Sequence, residues 1–391
     1  MPAEHSTWLI SVPLNGDTEC LAQELSSKLA QQSKSFSPTS LHELSIPSFK
    51  TGTLDSLVSL SEELPKQDTF FTNTVAKMVD TLRNLLNNDP TKLSQHILVN
   101  EMSVDDYLLG NLNWNEGRYG VQKSLRDLVD TLNKEMTSID NAMKSKLTNY
   151  NLVKGSLVQM QRKKTGNLSV RSLAEVVSKD DFIQDSEYLE TVLVAVPKNS
   201  VKTWNITYER LASMVVPRSS NLITSDDEYN LYSVVIFRRV HDDFSQQCRE
   251  NKFILRDFVY SEDVITKQRQ ELETADTTEK ELWTELLHLT RTNFSESFQI
   301  LVHLKVIRLF VESVLRYGLP ANYIGVVIKP DVKSTKKTFH TLQSHFSYLR
   351  SRSKAAQTQG GGEEFIGEYQ SLMEQEFYDF VLYEMPWITT Q

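Results

Sequence analysis

The run VQKSLRDLVDTLNKEMTSIDNAMKSKLTNYNLVKGSLVQM, Val121 to Met160, carries apolar residues at Val121, Leu125, Leu128, Leu132, Met136, Ile139, Met143, Leu147, Tyr150, Val153, Leu157 and Met160. The steps are three and four residues with no proline between them, which is the spacing of one face of an α-helix. At 1.5 Å per residue, about 40 residues predict a rod of roughly 60 Å, longer than an ordinary globular domain is wide. Gly155 is its weak point, and one interior glycine costs only about 1 kcal/mol relative to alanine.

A chain that leaves along such a rod has to return. Ser261, followed by Glu262 and Asp263, reads as an N-cap with acidic residues in the first turn. The helix it predicts runs through VITKQRQELETADTTEKELWTELLHLTRTNFSESF into VHLKVIRLFVESVLRYGLP, Val302 to Pro320. There Val302, Val306, Leu309, Phe310, Ser313, Val314 and Tyr317 recur at helical steps, Ile307, Val311 and Leu315 widen the apolar arc, and Gly318 and Pro320 punctuate the end. The first half is polar and the second apolar, the pattern of a helix passing from solvent into a core. A membrane span is disfavoured: His303, Lys305, Arg308, Glu312 and Arg316 would place several charges at hydrocarbon depth, at about 2.5 to 3.5 kcal/mol each. Paired antiparallel, the two stretches predict a two-helix neck, although heptads with e/g charges are not clean enough for a long coiled coil.

Between them, TVLVAVP (Thr191 to Pro197), NLYSVVIFRRV (Asn230 to Val240) and KFILRDFVY read as strands, and WNITYERLASMV and DDFSQQCREN as helices. Outside them, TWLISVP, YIGVVIKP and FYDFVLYEMPW are strands from distant parts of the chain, expected in one sheet, with helices such as LDSLVSLSEEL and VAKMVDTLRNLL between. The expected fold class is α+β and helix-rich, an elongated monomeric dumbbell. Its globular α/β foot holds both termini (1–120 and 302–391), its neck runs out over 121–164 and back over 261–301, and a small α/β head (165–260) is inserted at the far end. WLISVPLN resembles VLVAVPKN, each before a helix, which leaves open whether foot and head are related halves.

Bulk properties narrow the function classes. A net charge of -9 and a pI near 5.5 argue against a general nucleic-acid binder. MPAEHSTWLISVPLNGD lacks the charged n-region and long apolar core of a signal peptide. Cys20 and Cys248 form neither a disulfide framework nor a metal clip. The expected place is the cytosol, where the N-x-S/T matches at Asn167, Asn205 and Asn293 are chance patterns.

Catalytic motifs are missing. There is no GxxxxGK[ST], GxSxG or GxGxxG, and GGGEEF at Gly360 reads as a mobile loop. HELSI at His42 lacks the second histidine of a zinc HExxH. His241 beside Asp242 and Asp243 reads as a solvated polar face, and SDDEY (Ser225 to Tyr229) as an exposed turn. No cofactor or metal is expected. One charged cluster stands out: RKKTGNLSVR sets Arg162, Lys163, Lys164 and Arg171 together with no acidic residue inside an acidic chain. Either Arg162, Lys163 and Lys164 cap the end of the long helix, where a positive charge is worth about 0.3 to 1 kcal/mol, or the cluster contacts an anionic partner, and the two roles are compatible. Arg238 and Arg239, on the strand VVIFRRV, are candidates for the same basic surface.

RKKTGNLSVRSLAEVV, DSEYLETVLVAVPK, MVVPRSSNLI, RENKFILRDFVY and VESVLRYGLP together resemble the C subunit of the eukaryotic vacuolar-type proton ATPase. The resemblance extends over nearly the whole chain, from WLISVP and KTGTLDSLVSLSEEL to the aromatic C-terminal stretch. It is weakest at Lys34 to His42, Thr335 to Glu364 and after Met385. It implies a non-catalytic subunit of the peripheral sector, on the cytosolic face of vacuolar or other endomembranes when assembled, with no direct membrane insertion. It implies a head that binds the E and G subunits of a peripheral stalk, and a foot that meets a second stalk and the N-terminal domain of the membrane sector's a subunit. Detachment of such a bridge would let the pump disassemble reversibly. Members of the family have also been linked with actin, which keeps a filament cross-linker open as an alternative. A regulatory nucleotide-binding protein using the basic cluster is another.

Overall fold

A computed structural model describes residues 5–13, 18–32, 40–110, 112–174, 176–183, 186–258, 262–349 and 378–388. In chain order the elements are β1 (Ser6–Pro13), α1 (Thr18–Gln32), β2 (Leu41–Leu44), α2 (Leu54–Leu85), α3 (Pro90–His96), β3 (Leu98–Val99), β4 (Met102–Ser103), α4 (Val104–Gly110) and α5 (Leu125–Thr165). They continue with β5 (Leu189–Pro197), α6 (Val201–Thr207), β6 (Asn221–Ser225), β7 (Tyr229–Phe237), α7 (His241–Glu250), β8 (Ile254–Arg256), α8 (Glu262–Tyr317), β9 (Tyr323–Ile328), α9 (Thr335–His345) and β10 (Val381–Pro386). The protein is therefore helix-rich α+β. It divides into two compact units, Met1–Lys146 with Glu285–Gln391, and Leu147–Thr284.

The first unit gathers both ends of the chain. TWLISVP, YIGVVIKP and the C-terminal strand do share one sheet, in the order β10-β1-β9-β2 and antiparallel throughout. The strand β1 is central, and its near-continuous apolar run fits cover on both faces. Trp8, Ile10 and Val12 pack with Leu25, Leu29, Phe339, Leu342 and Phe346. On the other parity, Ser11 meets α8, where Ser313 Oγ donates to Ser11 Oγ at 2.8 Å and Tyr317 OH to the Ser11 carbonyl at 3.0 Å. The Tyr317 hydroxyl also accepts the Val381 N–H at 2.9 Å, so one side chain joins α8, β1 and β10. The apolar run of α8 is core: Val302, Leu304, Ile307, Leu309, Phe310 and Val311 are all buried. The HELSI stretch forms the edge strand β2 rather than any metal motif. Gly325 of β9 is required there, because a Cβ would come within 2.8 Å of the Leu44 carbonyl.

Two helices differ from their expected bounds. The long helix starts at Leu125, not Val121: Ser124 Oγ accepts the Asp127 N–H at 3.2 Å and donates to Asp127 Oδ2 at 2.6 Å, a reciprocal cap that ends the preceding turn. LDSLVSLSEEL and VAKMVDTLRNLL lie in one helix, α2, with Pro65 inside it. Its buried stripe of Leu57, Leu60, Leu64, Asp68, Phe71, Val75 and Met78 keeps helical register across the proline. Burial of the apolar side chains of that stripe, about 1.5 to 3 kcal/mol each, outweighs the roughly 3 kcal/mol an interior proline costs. Ser261 and Gly360 to Glu364 lie outside the described residues.

Asp68 is the charged member of that stripe. Its Oδ2 accepts from Lys305 Nζ at 2.9 Å and from Arg308 Nη1, and the Arg308 guanidinium also lies over the Tyr383 ring at 4.2 Å. Of the charges on α8 that spoke against a membrane span, Lys305 and Arg308 thus share the single carboxylate of Asp68. Burial pushes the Lys305 amine pKa down, and Asp68 opposes that shift. Nearby, the loop before α5 is fastened to His303. The His303 Nδ1 lies 2.6 Å from the Gln299 carbonyl, and its Nε2 accepts the Asn115 N–H at 3.1 Å. A carbonyl only accepts, so the proton sits on Nδ1 and the ring is neutral. Trp114 and Tyr119 pack on the ring at 4.8 and 5.1 Å. Burial pushes the His303 pKa down; the Gln299 carbonyl opposes this, Arg118 adds to it, and Glu135 opposes it.

The second unit holds the sheet β6-β7-β5-β8, also antiparallel. This differs from the α/β alternation read from the sequence. The strand β6 escapes a pattern search because it is short, largely exposed and broken in register at Leu222 and Thr224. Val192, Val194 and Val196 of β5 pack with Trp204, Tyr232, Phe244 and Phe253 on one face of the sheet. Leu193 and Ala195 pack with Leu168, Leu173 and Val177 on the other. Cys248 is a free, buried thiol whose pKa burial pushes up to about 12, so it is an inert core residue.

Two outcomes are expected. Asp68→Ala leaves two buried cations without their carboxylate and should cost about 3 to 5 kcal/mol in urea unfolding, whereas a surface control such as Asp80→Ala should cost under about 1 kcal/mol. The His303 contribution to stability is complete above about pH 6.5, the ordinary pKa at which the unfolded ring charges, and is lost as pH falls toward the lower folded value. The wild-type unfolding midpoint should therefore drop between pH 7.5 and 5.5 more steeply than that of His303→Gln.

Candidate partner-binding surface

The basic cluster sits where α5 ends. Arg162, Lys163 and Lys164 occupy its last turn and are exposed. The chain then turns back sharply. The Gly166 N–H donates to the Arg162 carbonyl at 2.9 Å, and the Ser172 N–H to the Lys163 carbonyl at 2.5 Å. Gly166 is needed at this turn, since a Cβ would lie 3.0 Å from the Arg162 carbonyl and 3.6 Å from the Arg171 nitrogen. The fold therefore brings Arg171 back beside Arg162.

The carbonyls beyond the helix end are held by a cation, but not by one of the cluster. Arg256, on β8, donates from Nη1 to the Leu168 carbonyl and from Nη2 to the Arg171 carbonyl, both at 2.8 Å. In the sequence Arg256 reads as one more strand residue and this role is missed, because nothing local links it to residues 85 and 88 positions away. Asp226 completes the turn. It accepts N–H groups from Leu168 at 2.5 Å, Glu228 at 2.8 Å and Tyr229 at 2.6 Å. Burial pushes the Asp226 carboxyl up, but the three amides outweigh it and its pKa falls below the ordinary carboxylate range. SDDEY is thus the hairpin turn that anchors the helix end as well as an exposed loop. Arg162 and Lys163 make no side-chain hydrogen bond or ion pair among the described residues, and Arg171 Nε is buried without a partner. Lys164 lies along a groove with Gln161, Arg269, Glu273 and Asp276, an environment of mixed charge.

Arg238 and Arg239 stand elsewhere. They are exposed and lie in a 3-10 turn after β7 rather than on the strand. Arg238 donates its N–H to the Tyr188 carbonyl at 2.9 Å, at the β5 start. The hairpin that holds Asn167 and Leu168 is at the opposite end of β7, eight residue steps or roughly 27 Å away at about 3.4 Å per residue. The six cations thus form two groups. His241, read as part of a solvated face, pairs through Nδ1 with Glu190 Oε1 at 2.8 Å.

Among the described residues, no cluster of histidine, cysteine and carboxylate side chains is placed to hold a metal ion, and no helix is long and apolar enough to cross a membrane. Comparison with known proteins supplies the family. Residues 7–381 match the family model of the V-ATPase C subunit. The chain is 38% identical over 379 residues to the C 1-B subunit of the V-type proton ATPase of Danio rerio. It is 39% identical over 378 residues to the C 1 subunit of the V-type proton ATPase of Xenopus tropicalis, and 39% over 379 to that of Mus musculus. Each of these alignments covers 97% of this chain and 97% of the relative. The chain belongs to the V-ATPase C-subunit family, and so to the machinery of proton transport.

Proposed function

We propose that the protein is a non-catalytic stator subunit of the vacuolar-type proton ATPase. In this reading it bridges peripheral stalks made of the E and G subunits and the a subunit of the membrane sector, from the cytosolic side. The observation that carries the reading is the family match from residue 7 to residue 381, which spans both compact units. The architecture that suits it is the dumbbell: a foot of 1–120 and 302–391, a neck of 121–164 and 261–301, and a head of 165–260. A rotary motor must hold its stator against torque. Two modest contacts on one rigid bridge reinforce each other through effective concentration, so weakening one releases the whole, which suits reversible disassembly of the pump.

The exposed, unpaired Arg162 and Lys163 support an electrostatic role at the head, with Arg171 folded back beside them. Charges at a rim act chiefly on the encounter rate. The helix end is already secured by Gly166, Asp226 and Arg256, so charge reversal there should spare the fold.

Three measurements test the reading. The full chain should co-purify with the stalk's E and G subunits; co-sedimentation with actin filaments in their place would favour the cross-linking alternative. Homogeneous protein should hydrolyse no ATP, and turnover abolished by a point substitution in this chain would overturn the non-catalytic assignment. Arg162→Glu with Lys163→Glu should slow association with an E–G heterodimer several-fold at low salt and flatten its salt dependence, with the thermal midpoint unchanged. A lowered midpoint with unchanged association would make these residues structural instead.

A further inference from the structure

The outward face of α9 is basic at the end where a helix favours acids. Between Asp331 and Glu363 the chain carries six lysines and arginines and no aspartate or glutamate, although its net charge is -9. The helix α9 turns Phe339 and Leu342 inward against the core that Trp8 and Ile10 of β1 share, and Thr338 is buried beside them. Lys333, Lys336, Lys337 and His340 are left exposed on the other side. Lys336 and Lys337 stand in the first turn, which holds no acidic residue. The N-terminus of a helix is its positive end, so lysines there work against the helix. Lys333, Lys336 and Lys337 make no side-chain hydrogen bond or ion pair among the described residues. On the adjoining α1, Glu24 is taken by Lys28 Nζ at 2.7 Å, and the same ammonium lies 2.9 Å from His345 Nδ1. The fold therefore gains nothing from these three cations. They also fall where the resemblance to the family is weakest, so the partners it implies do not account for them.

The shape of the face says what kind of partner fits. Lys336, Lys337 and His340 share about a third of the helix circumference at 3.6 residues per turn, which makes a convex surface. Such a face reads charge density rather than shape. Lysine suits that task, because its ammonium is a point charge on a flexible stem and lacks the planar fork with which arginine holds one carboxylate. An acidic protein would need carboxylates placed to match three flexible side chains, whereas a lipid surface supplies phosphate beneath each of them. Val332 and Tyr348, 39% and 40% exposed, flank the helix along the chain. Lysines on a helix face with a few apolar or aromatic neighbours are the composition of elements that lie on anionic bilayers. Among the described residues no helix can cross a membrane, so the contact is confined to the surface.

We propose that Lys333, Lys336 and Lys337, flanked by Val332 and Tyr348, form a contact surface for the anionic phospholipid headgroups of a membrane. The contact is electrostatic and reversible, and it does not depend on the stalk-binding reading above.

The test uses the full chain and phosphatidylcholine vesicles with and without phosphatidylserine, separated by sedimentation. The wild-type chain should sediment with the phosphatidylserine vesicles alone, and less of it at about 150 mM salt than at about 50 mM. Lys336→Glu with Lys337→Glu should lower its partition onto them at least about tenfold. Both substitutions put acids in the first turn of α9, so the thermal midpoint should hold or rise, which separates lost binding from lost fold. Lys66→Glu with Lys77→Glu, at exposed positions of α2 in the same unit, makes the same change in net charge and should leave partition within about twofold. Equal sedimentation of the wild type with both kinds of vesicle overturns the proposal. So does partition of the α9 variant within about twofold of wild type, or an equal loss in the α2 control, which would make net charge the cause. Loss of co-sedimentation with actin filaments in the α9 variant, with vesicle partition unchanged, would reassign the face to an acidic protein and also overturn it.

Discussion

Burial of the C-terminal half of α8 is the constraint on which the larger unit rests. An apolar run from Leu301 to Val314 cannot face water, and the surfaces that cover it come from both ends of the chain and from α2. Tyr317 shows how closely they are joined, with one hydroxyl donating to β1 and accepting from β10. Asp68 shows the condition attached to this burial. The helix brings Lys305 and Arg308 into the core, and cations there are tolerated only where a carboxylate is fixed opposite them. Placing that carboxylate in the apolar stripe of α2 ties the register of α2 to that of α8.

The same logic at smaller scale governs the end of α5. A helix terminus leaves carbonyls without partners, and here those of Arg162 and Lys163 accept the amides of Gly166 and Ser172, while the guanidinium of Arg256 holds the Leu168 and Arg171 carbonyls of the segment just beyond. Asp226 then holds the amide of Leu168, so the hairpin between β6 and β7 and the helix end are one assembly. Because the backbone is secured in this way, Arg162 and Lys163 are left without a structural task among the described residues. Charges without a structural task on an acidic protein are what a partner can read.

Much of this was legible in the sequence where a period was long and unbroken. Both long helices, the shared sheet of distant strands and the core character of the Val302 run follow from periods of 3.6 and 2. What the sequence hid was set by contacts far apart in the chain or by local chemistry that overrides a pattern. Ser124 and Asp127 cap α5 four residues after its apolar pattern begins, because a reciprocal cap is decided by hydrogen bonds rather than by hydrophobicity. LDSLVSLSEEL and VAKMVDTLRNLL read as separate helices, yet α2 runs through both and through Pro65 because its buried stripe does not change face. The strand β6 has too few buried positions to show alternation. Arg256 reads as one more strand residue, since its carbonyl partners are supplied by a segment nearly ninety positions earlier.

The candidate site was legible as composition but not as geometry. RKKTGNLSVR is conspicuous because it lacks acids, and the fold does bring Arg171 back to Arg162. Arg238 and Arg239 share that chemistry but sit at the other end of β7, a separation that only the strand pairing could reveal. Tyr188 and Phe237 carry no sequence mark of exposure either, since aromatic side chains of the same unit, Tyr232 and Phe244, are buried in its core. Surface cations draw a partner over nanometres but hold it weakly in water, whereas aromatic side chains act only on contact and hold it longer. Because the two groups of cations stand at opposite ends of one strand, each can be altered without touching the other.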